Sequence, residues 1–307
     1  MFEGFRTETV DVEGVGILAR TAGEGPPLLL LHGSPQTNAM WHLVAPELAE
    51  DFTVVLTDLR GYGDSSKPQT DEHHSPYSKR AMALDQVAVM RHFGFESFAL
   101  CGHDRGGRVG YRMALDHPGV VTKLAVLDIV PTWEAFSRAD MSFGLSYWHW
   151  FFLAQPYDLP ERLLAFEPEK ALFRGGSEIF HPEAMEEYVR CLRDPETIHA
   201  TCEDYRAAAT LDHEYDAQDR EAGRRIACPV IALWGRQGFL EGHYDVLEVW
   251  RGWAAEEVSG RALDCGHYLP EEAPEETYAE LHVFSGERGE SDEHLCDQDP
   301  VGHRQVK

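Results

Sequence analysis

The run Gly102-His103-Asp104-Arg105-Gly106 constrains this chain more than any other segment. It follows the apolar run Phe98-Ala99-Leu100-Cys101 and precedes a helix-like stretch from Val109 to Asp116. Glycines on both sides of a tight turn let a strand pass straight into a helix, with a single side chain left at the apex. Here the apex residue is Asp104, and a carboxylate in that place selects its chemistry. Attack on a carbonyl would give a mixed anhydride, a poor intermediate. Displacement at an sp³ carbon gives an alkyl ester that water can hydrolyse. Asp104 therefore directs the reading toward alkyl halides or epoxides and away from esters and amides. The plainer alternative is a buried structural Asp on an unrelated turn.

The rest of the chain supplies the context such a turn needs. Thr7 to Val12 and Val15 to Arg20 alternate as a hairpin does. Leu28-Leu29-Leu30-Leu31 is the short apolar run of a strand buried on both faces, and it ends at His32-Gly33-Ser34-Pro35. A helical segment is expected over Met40 to Ala49, a strand over Thr53 to Thr57 and a long helix from about Lys79 to Phe93. After the 107–116 helix comes a strand at Leu124 to Leu127, closed by Asp128. From about residue 131 to 216 the pattern becomes helical and aromatic, the mark of an insertion that would cap the sheet. Strand character returns at Pro229 to Gly235 and near Leu263, and a last helix spans about Glu271 to Phe284. Alternating strands and helices predict an α/β fold with a mostly parallel sheet. The expected division is a core of residues 1–130 and 217–286, a cap of 131–216 and a disordered tail of 287–307.

Composition narrows the function classes. The chain has 307 residues, 43% of them hydrophobic, enough for one large domain with an insertion. No run approaches the ~20 apolar residues of a membrane span, and the start lacks a secretory pattern, so a cytoplasmic protein is expected. The net charge of −26 disfavours nucleic acid, which needs a basic face. With only five lysines, the acidic surface also fits a salt-rich cytoplasm. The six cysteines form no C-x-x-C pair and read as reduced thiols. Cys296, His294 and His303 lie close together in the tail, where coincidence is the better reading than a metal site; no metal is expected.

A turn of this kind resembles the nucleophile turn of α/β-hydrolases, which requires a nucleophile, an acid and a histidine in that chain order. His267, in the loop after the last strand, fits as the base that activates water. The loop after Trp234-Gly235 carries no carboxylate until Glu241, so Asp128 at the end of the preceding strand is the first choice as partner of His267, with Glu241 second. The backbone N–H groups of Ser34 and Arg105 are placed to form an oxyanion hole. Arg105 and Arg108, three residues apart, can face one site and bind a substrate carboxylate. For Arg108 the default alternative is a surface ion pair, whereas Arg105 is expected at the mouth of the cap.

Gly102 to Val109, Leu127-Asp128-Ile129, His149-Trp150, Cys202 to Ala207 and Gly266 to Pro274 together resemble the fluoroacetate (haloacetate) dehalogenases, over about residues 4 to 285. The resemblance implies an α/β-hydrolase fold with an eight-stranded sheet and a helical cap. It implies Asp104 as nucleophile, His267 as base, Asp128 as its partner and Arg105 and Arg108 as carboxylate ligands. His149, Trp150 and Tyr205 would donate to the departing halide. It further implies a haloacid substrate, no cofactor and a homodimer. One departure stands out: Ser34 occupies a position where that family usually has Phe, which predicts a wider pocket. An epoxide hydrolase shares the Asp–His–acid logic but usually carries Trp after the nucleophile. A non-catalytic receptor on the same fold is a further alternative.

Overall fold

The computed structural model describes residues 1–173 and 178–286. The expectations for the tail, including Cys296, His294 and His303, lie outside the described residues. Eight strands form one sheet in the order β1-β2-β4-β3-β5-β6-β7-β8. They are β1 (Arg6–Val12), β2 (Val15–Ala22), β3 (Pro27–Leu31), β4 (Thr53–Thr57), β5 (Phe98–His103), β6 (Val121–Leu127), β7 (Val230–Gly235) and β8 (Val258–Leu263). The β1–β2 and β2–β4 pairs are antiparallel and the remaining pairs are parallel. The first pair is joined by Glu13-Gly14, both at positive φ, the conformation of a tight hairpin.

The apolar strands are explained by a core on each face. Leu29, Leu31, Leu100 and Val126 enter one hydrophobic cluster, while Leu28, Leu30, Cys101 and Leu127 enter the other. Alternate side chains thus point to opposite layers, and both layers are dry. The six parallel strands β3, β4, β5, β6, β7 and β8 all end on the same edge, where ligands of open α/β sheets bind.

Two expected helices are divided. Over Met40 to Ala49 the chain makes a 3₁₀ turn at Asn38–Trp41 and one α-turn at Ala45–Leu48. Pro46 falls at the start of that second turn, because it has no N–H to bond backward. The last helix divides into Leu269–Glu272 and Pro274–Gly286 for the same reason, at Pro274. The helix after the Asp104 turn begins two residues earlier than expected, at Arg105.

Between β6 and β7 the described residues form helices and no strand. The final rod of this insertion runs from Pro195–Ala207 through a π-turn at Ala208–Asp212 into His213–Glu221, past residue 216. Among the described residues no helix is long and apolar enough to cross a membrane.

Candidate active site

Asp104 follows β5 directly, with φ 45° and ψ −113°. A non-glycine residue held in that region costs about 1–3 kcal/mol, so surrounding structure must enforce it. The glycines do so by close approach. A Cβ on Gly102 would stand 2.5 Å from the Gly106 carbonyl carbon, and one on Gly106 would stand 2.5 Å from the His32 carbonyl oxygen. A Cβ on Gly33 would meet the Asp104 Cβ at 2.5 Å. The helix can start under the sheet edge only because these side chains are missing.

The turn after β3 supplies the first ligand of the carboxylate. The Ser34 N–H donates to Asp104 Oδ1 at 3.0 Å. His32 steadies this turn, accepting from the Leu59 N–H at Nε2 (2.9 Å) while its Nδ1 meets the Gly33 carbonyl (2.8 Å). Arg105 opens the helix, so its N–H belongs to the unpaired donors of a helix N-terminus beside Asp104. Burial alone would raise the Asp104 pKa. Positive charge on the neighbouring groups, His267 and Arg105 foremost, outweighs it and holds the carboxyl well below the usual range.

Asp128 ends β6 with φ 51° and lies 2% exposed. Its Oδ2 is 2.6 Å from His267 Nδ1, and its Oδ1 accepts from the Gly235 N–H at 3.0 Å. Glu241 faces elsewhere, accepting from the Trp234 indole and lying 3.6 Å from Arg236. The loop bearing His267 is anchored by two residues that sequence reasoning missed. Glu272 accepts from the Gly266 and Tyr268 N–H groups at 2.8 Å each, and His103 Nε2 donates to the His267 carbonyl at 2.8 Å. Burial, then the neighbouring His267, pushes the His103 pKa down to about 3, so this ring is neutral. No periodicity marks either residue; the signal is only that a loop histidine needs its flanking amides bonded.

The two arginines depart from their expected surroundings. Arg108 is buried rather than on the surface, because Val130 and Thr132 bring acceptors to it: its Nη1 donates to the Val130 carbonyl at 2.8 Å and to Thr132 Oγ1 at 3.2 Å. Its Nε has no hydrogen-bond partner, and it forms no ion pair among the described residues. Arg105 is not at the mouth of the insertion but fully buried beneath it, drawn in by the Asp204 carboxylate.

A cavity of about 340 Å³ lies between the sheet edge and the insertion, lined by Ser34, Asp104, His149, Tyr205, Phe239 and His267 among others. Behind Asp104 a recess of about 10 Å³ touches Arg108, Trp150, Tyr147, Phe239 and Tyr244. That is room for about one water-sized group. The Trp150 indole N–H is buried without a hydrogen-bond partner among the described residues. The Arg108 guanidinium sits 4.5 Å from the Trp150 ring, and that of Arg105 4.1 Å from Tyr205. His149 packs edge-on against Tyr205 at 5.8 Å. The fold thus brings Ser34, Asp104, Arg105, Arg108, Asp128, His149, Trp150, Tyr205 and His267 together and leaves Glu241 apart. What it offers is a carboxylate at the apex of a turn, a histidine–carboxylate pair beside it, and buried cations and N–H groups around a small space. The five described cysteines are buried free thiols.

The alpha/beta hydrolase fold family model matches residues 26–274. The chain is 46% identical to a fluoroacetate dehalogenase from Burkholderia sp, over 92% of this chain and 95% of that protein. It is 36% identical to a soluble epoxide hydrolase from Corynebacterium sp. (strain C12), over 83% and 88% of the two chains. Among solved structures, a putative alpha/beta hydrolase from Nostoc sp PCC 7120 superposes with a TM-score of 0.90 at 53% identity, covering 92% of this chain and 99% of that one. A mutant of a putative epoxide hydrolase from Pseudomonas aeruginosa with bound MFA gives a TM-score of 0.86 at 48% identity, covering 92% and 95%. The chain belongs to the alpha/beta hydrolase fold family and is similar, over nine-tenths of its length, to a fluoroacetate dehalogenase.

Proposed function

We propose that this protein hydrolyses the carbon–halogen bond of haloacetates, giving glycolate and halide. The observation that carries the reading is Arg108: a buried cation, without an ion-pair partner among the described residues, sharing a recess with Asp104. A buried charge is costly unless paired. A substrate carboxylate supplies the pair and sets the α-carbon close to the nucleophile.

Asp104 Oδ1 is held by the Ser34 N–H, so Oδ2 is the attacking oxygen. It displaces halide from the α-carbon, forming an aspartyl ester. His149, Trp150 and Tyr205 carry the donors that meet the departing halide. His267 then takes a proton from water, which attacks the ester carbonyl. Asp128 stabilises the imidazolium, and the oxyanion at Oδ1 is met by the Ser34 and Arg105 N–H groups. Collapse releases glycolate and restores the Asp104 carboxylate. Residues 131–216 act as a cap that excludes water while the ester forms.

The cavity is far larger than a haloacetate needs, and Ser34 lines it. Chloroacetate, bromoacetate and bulkier 2-haloacids should therefore compete well with fluoroacetate. A homodimer fits the exposed apolar side chains clustered in sequence on the insertion, including Met141 (82%), Tyr157 (73%) and Phe166 (84%). Epoxide hydrolysis is the second reading, favoured by two tyrosines, Tyr147 and Tyr205, on the cavity wall, where they can protonate an alkoxide.

Halide release from fluoroacetate and chloroacetate, beside diol formation from a simple epoxide, tests the reading. Halide release abolished by Asp104→Asn is expected. Epoxide opening without halide release would overturn it.

A further inference from the structure

Asp204 accepts more hydrogen bonds than a clasp between insertion and core would need. Its Oδ2 accepts from Arg105 Nε at 2.9 Å and from the Tyr62 hydroxyl at 2.6 Å. Its Oδ1 accepts from Arg105 Nη2 at 2.6 Å and from Lys79 Nζ. Its backbone carbonyl accepts a second bond from Arg105 Nη2 at 3.0 Å. All three charged side chains are buried, and Lys79 has Asp212 3.8 Å away as a second counter-charge. The π-turn at Ala208–Asp212 carries the second of the two aspartates that converge on Lys79.

This arrangement fixes what Arg105 can offer a ligand. A guanidinium has five N–H groups in a rigid plane. Asp204 engages Nε and Nη2, and the Tyr205 ring at 4.1 Å covers the face. Nη1 is left, buried and without a hydrogen-bond partner among the described residues. A guanidinium free to turn would find the neighbouring Asp104 carboxylate and occupy its attacking lone pairs. We infer that Asp204 is a positioning residue for substrate recognition: it turns the Arg105 fork away from the nucleophile and leaves Nη1 as the one N–H pair that Arg105 presents to a substrate carboxylate. Lys79 keeps Asp204 from being a net negative charge beside that substrate.

The inference rests on the haloacid reading, and the test separates the two. Glycolate, the product, and glycolamide, its neutral isostere, are titrated into the whole protein by calorimetry. Asp204→Asn should weaken glycolate by about 10- to 100-fold, the scale of a misplaced binding group, and leave glycolamide unchanged. In an Arg105→Met background the same change should cost no further affinity, since Asp204 acts through Arg105. Tyr62→Phe removes one bond to Asp204 without leaving a charge unpaired, and should weaken glycolate by about 2- to 10-fold even if Asp204→Asn fails to fold. Equal losses for both ligands, full additivity with Arg105→Met, or unchanged glycolate affinity in both variants would overturn the inference. A wild-type protein that binds no glycolate and releases no halide would overturn the haloacid reading instead.

Discussion

Asp128 and His267 are joined at 2.6 Å, and the same carboxylate is pinned from behind by the Gly235 N–H. The aspartate is thus fixed by one sheet strand while it fixes a histidine delivered by a loop. Exchange to Asn keeps the shape but offers His267 Nδ1 an amide in place of a negative charge. Asp128→Asn should slow turnover on the order of 10⁴-fold, the loss known for this exchange in a serine-protease triad. Because the loss falls on the water step, mass spectrometry of the intact protein should show an ester accumulating on Asp104. Absence of the ester with turnover still slow would place the defect in alkylation.

Trp150 presents a buried indole N–H with no hydrogen-bond partner among the described residues. One hydrogen bond to a developing anion amounts to about 1.5–3 kcal/mol, so Trp150→Phe should cut kcat with fluoroacetate by about 10- to 100-fold. Bromide leaves with less need of donors, so kcat with bromoacetate should fall less. Parallel rate measurements on the two acids check this, and equal losses would count against a halide contact.

Gly106 has no room for a methyl group against the His32 carbonyl. Gly106→Ala should lower stability by about 1–3 kcal/mol or prevent folding, as overpacking does. Thermal unfolding beside Gly94→Ala, whose Cβ meets nothing within 4 Å, gives the contrast, although that position's φ of +91° carries a cost of its own.

Glu271 gives a pH dependence with a definite sign. Burial raises its pKa from 4.5 to about 8, against hydrogen bonds from Tyr188 and Gln36 that favour the charged form. Between those values the unfolded chain has released the proton and the folded chain still holds it. Stability therefore falls as pH rises from about 4.5 to about 8 and is level in this respect below and above. Glu271→Gln removes the titration. The melting temperature of the wild type should decline relative to the variant over that window, and parallel curves would rule the effect out.

Much of this could be read along the chain because it is local. The glycines around Asp104, the apolar run of β3 and the ends of β6 and β7 each depend on a few consecutive residues. The pairing of Asp128 with His267 was legible because Asp128 closes a strand. The partners of the arginines were not legible. Asp204 lies 99 positions from Arg105, and nothing in either segment says that a helix of the insertion will carry one to the other. For Arg108 a surface ion pair stayed open as the default alternative, because its acceptors, a backbone carbonyl at 130 and the Thr132 hydroxyl, leave no mark in the sequence. The helix breaks at Pro46 and Pro274 were visible as prolines, yet the helical pattern around each masked them.

On the haloacid reading, the neutralised state of Arg105 bears on why halide would leave for good. With Arg105 matched by Asp204 and Lys79 facing Asp212, the innermost site holds one uncompensated cation, Arg108, and two carboxylates, Asp104 and the His267-bound Asp128. A bound haloacetate would bring the sum to minus two. Alkylation would erase the charge on Asp104, so once halide had gone the sum would be minus one, and a returning halide would have to restore the larger deficit. The same tally that gives the acid one cation to pair with would make the first step run forward.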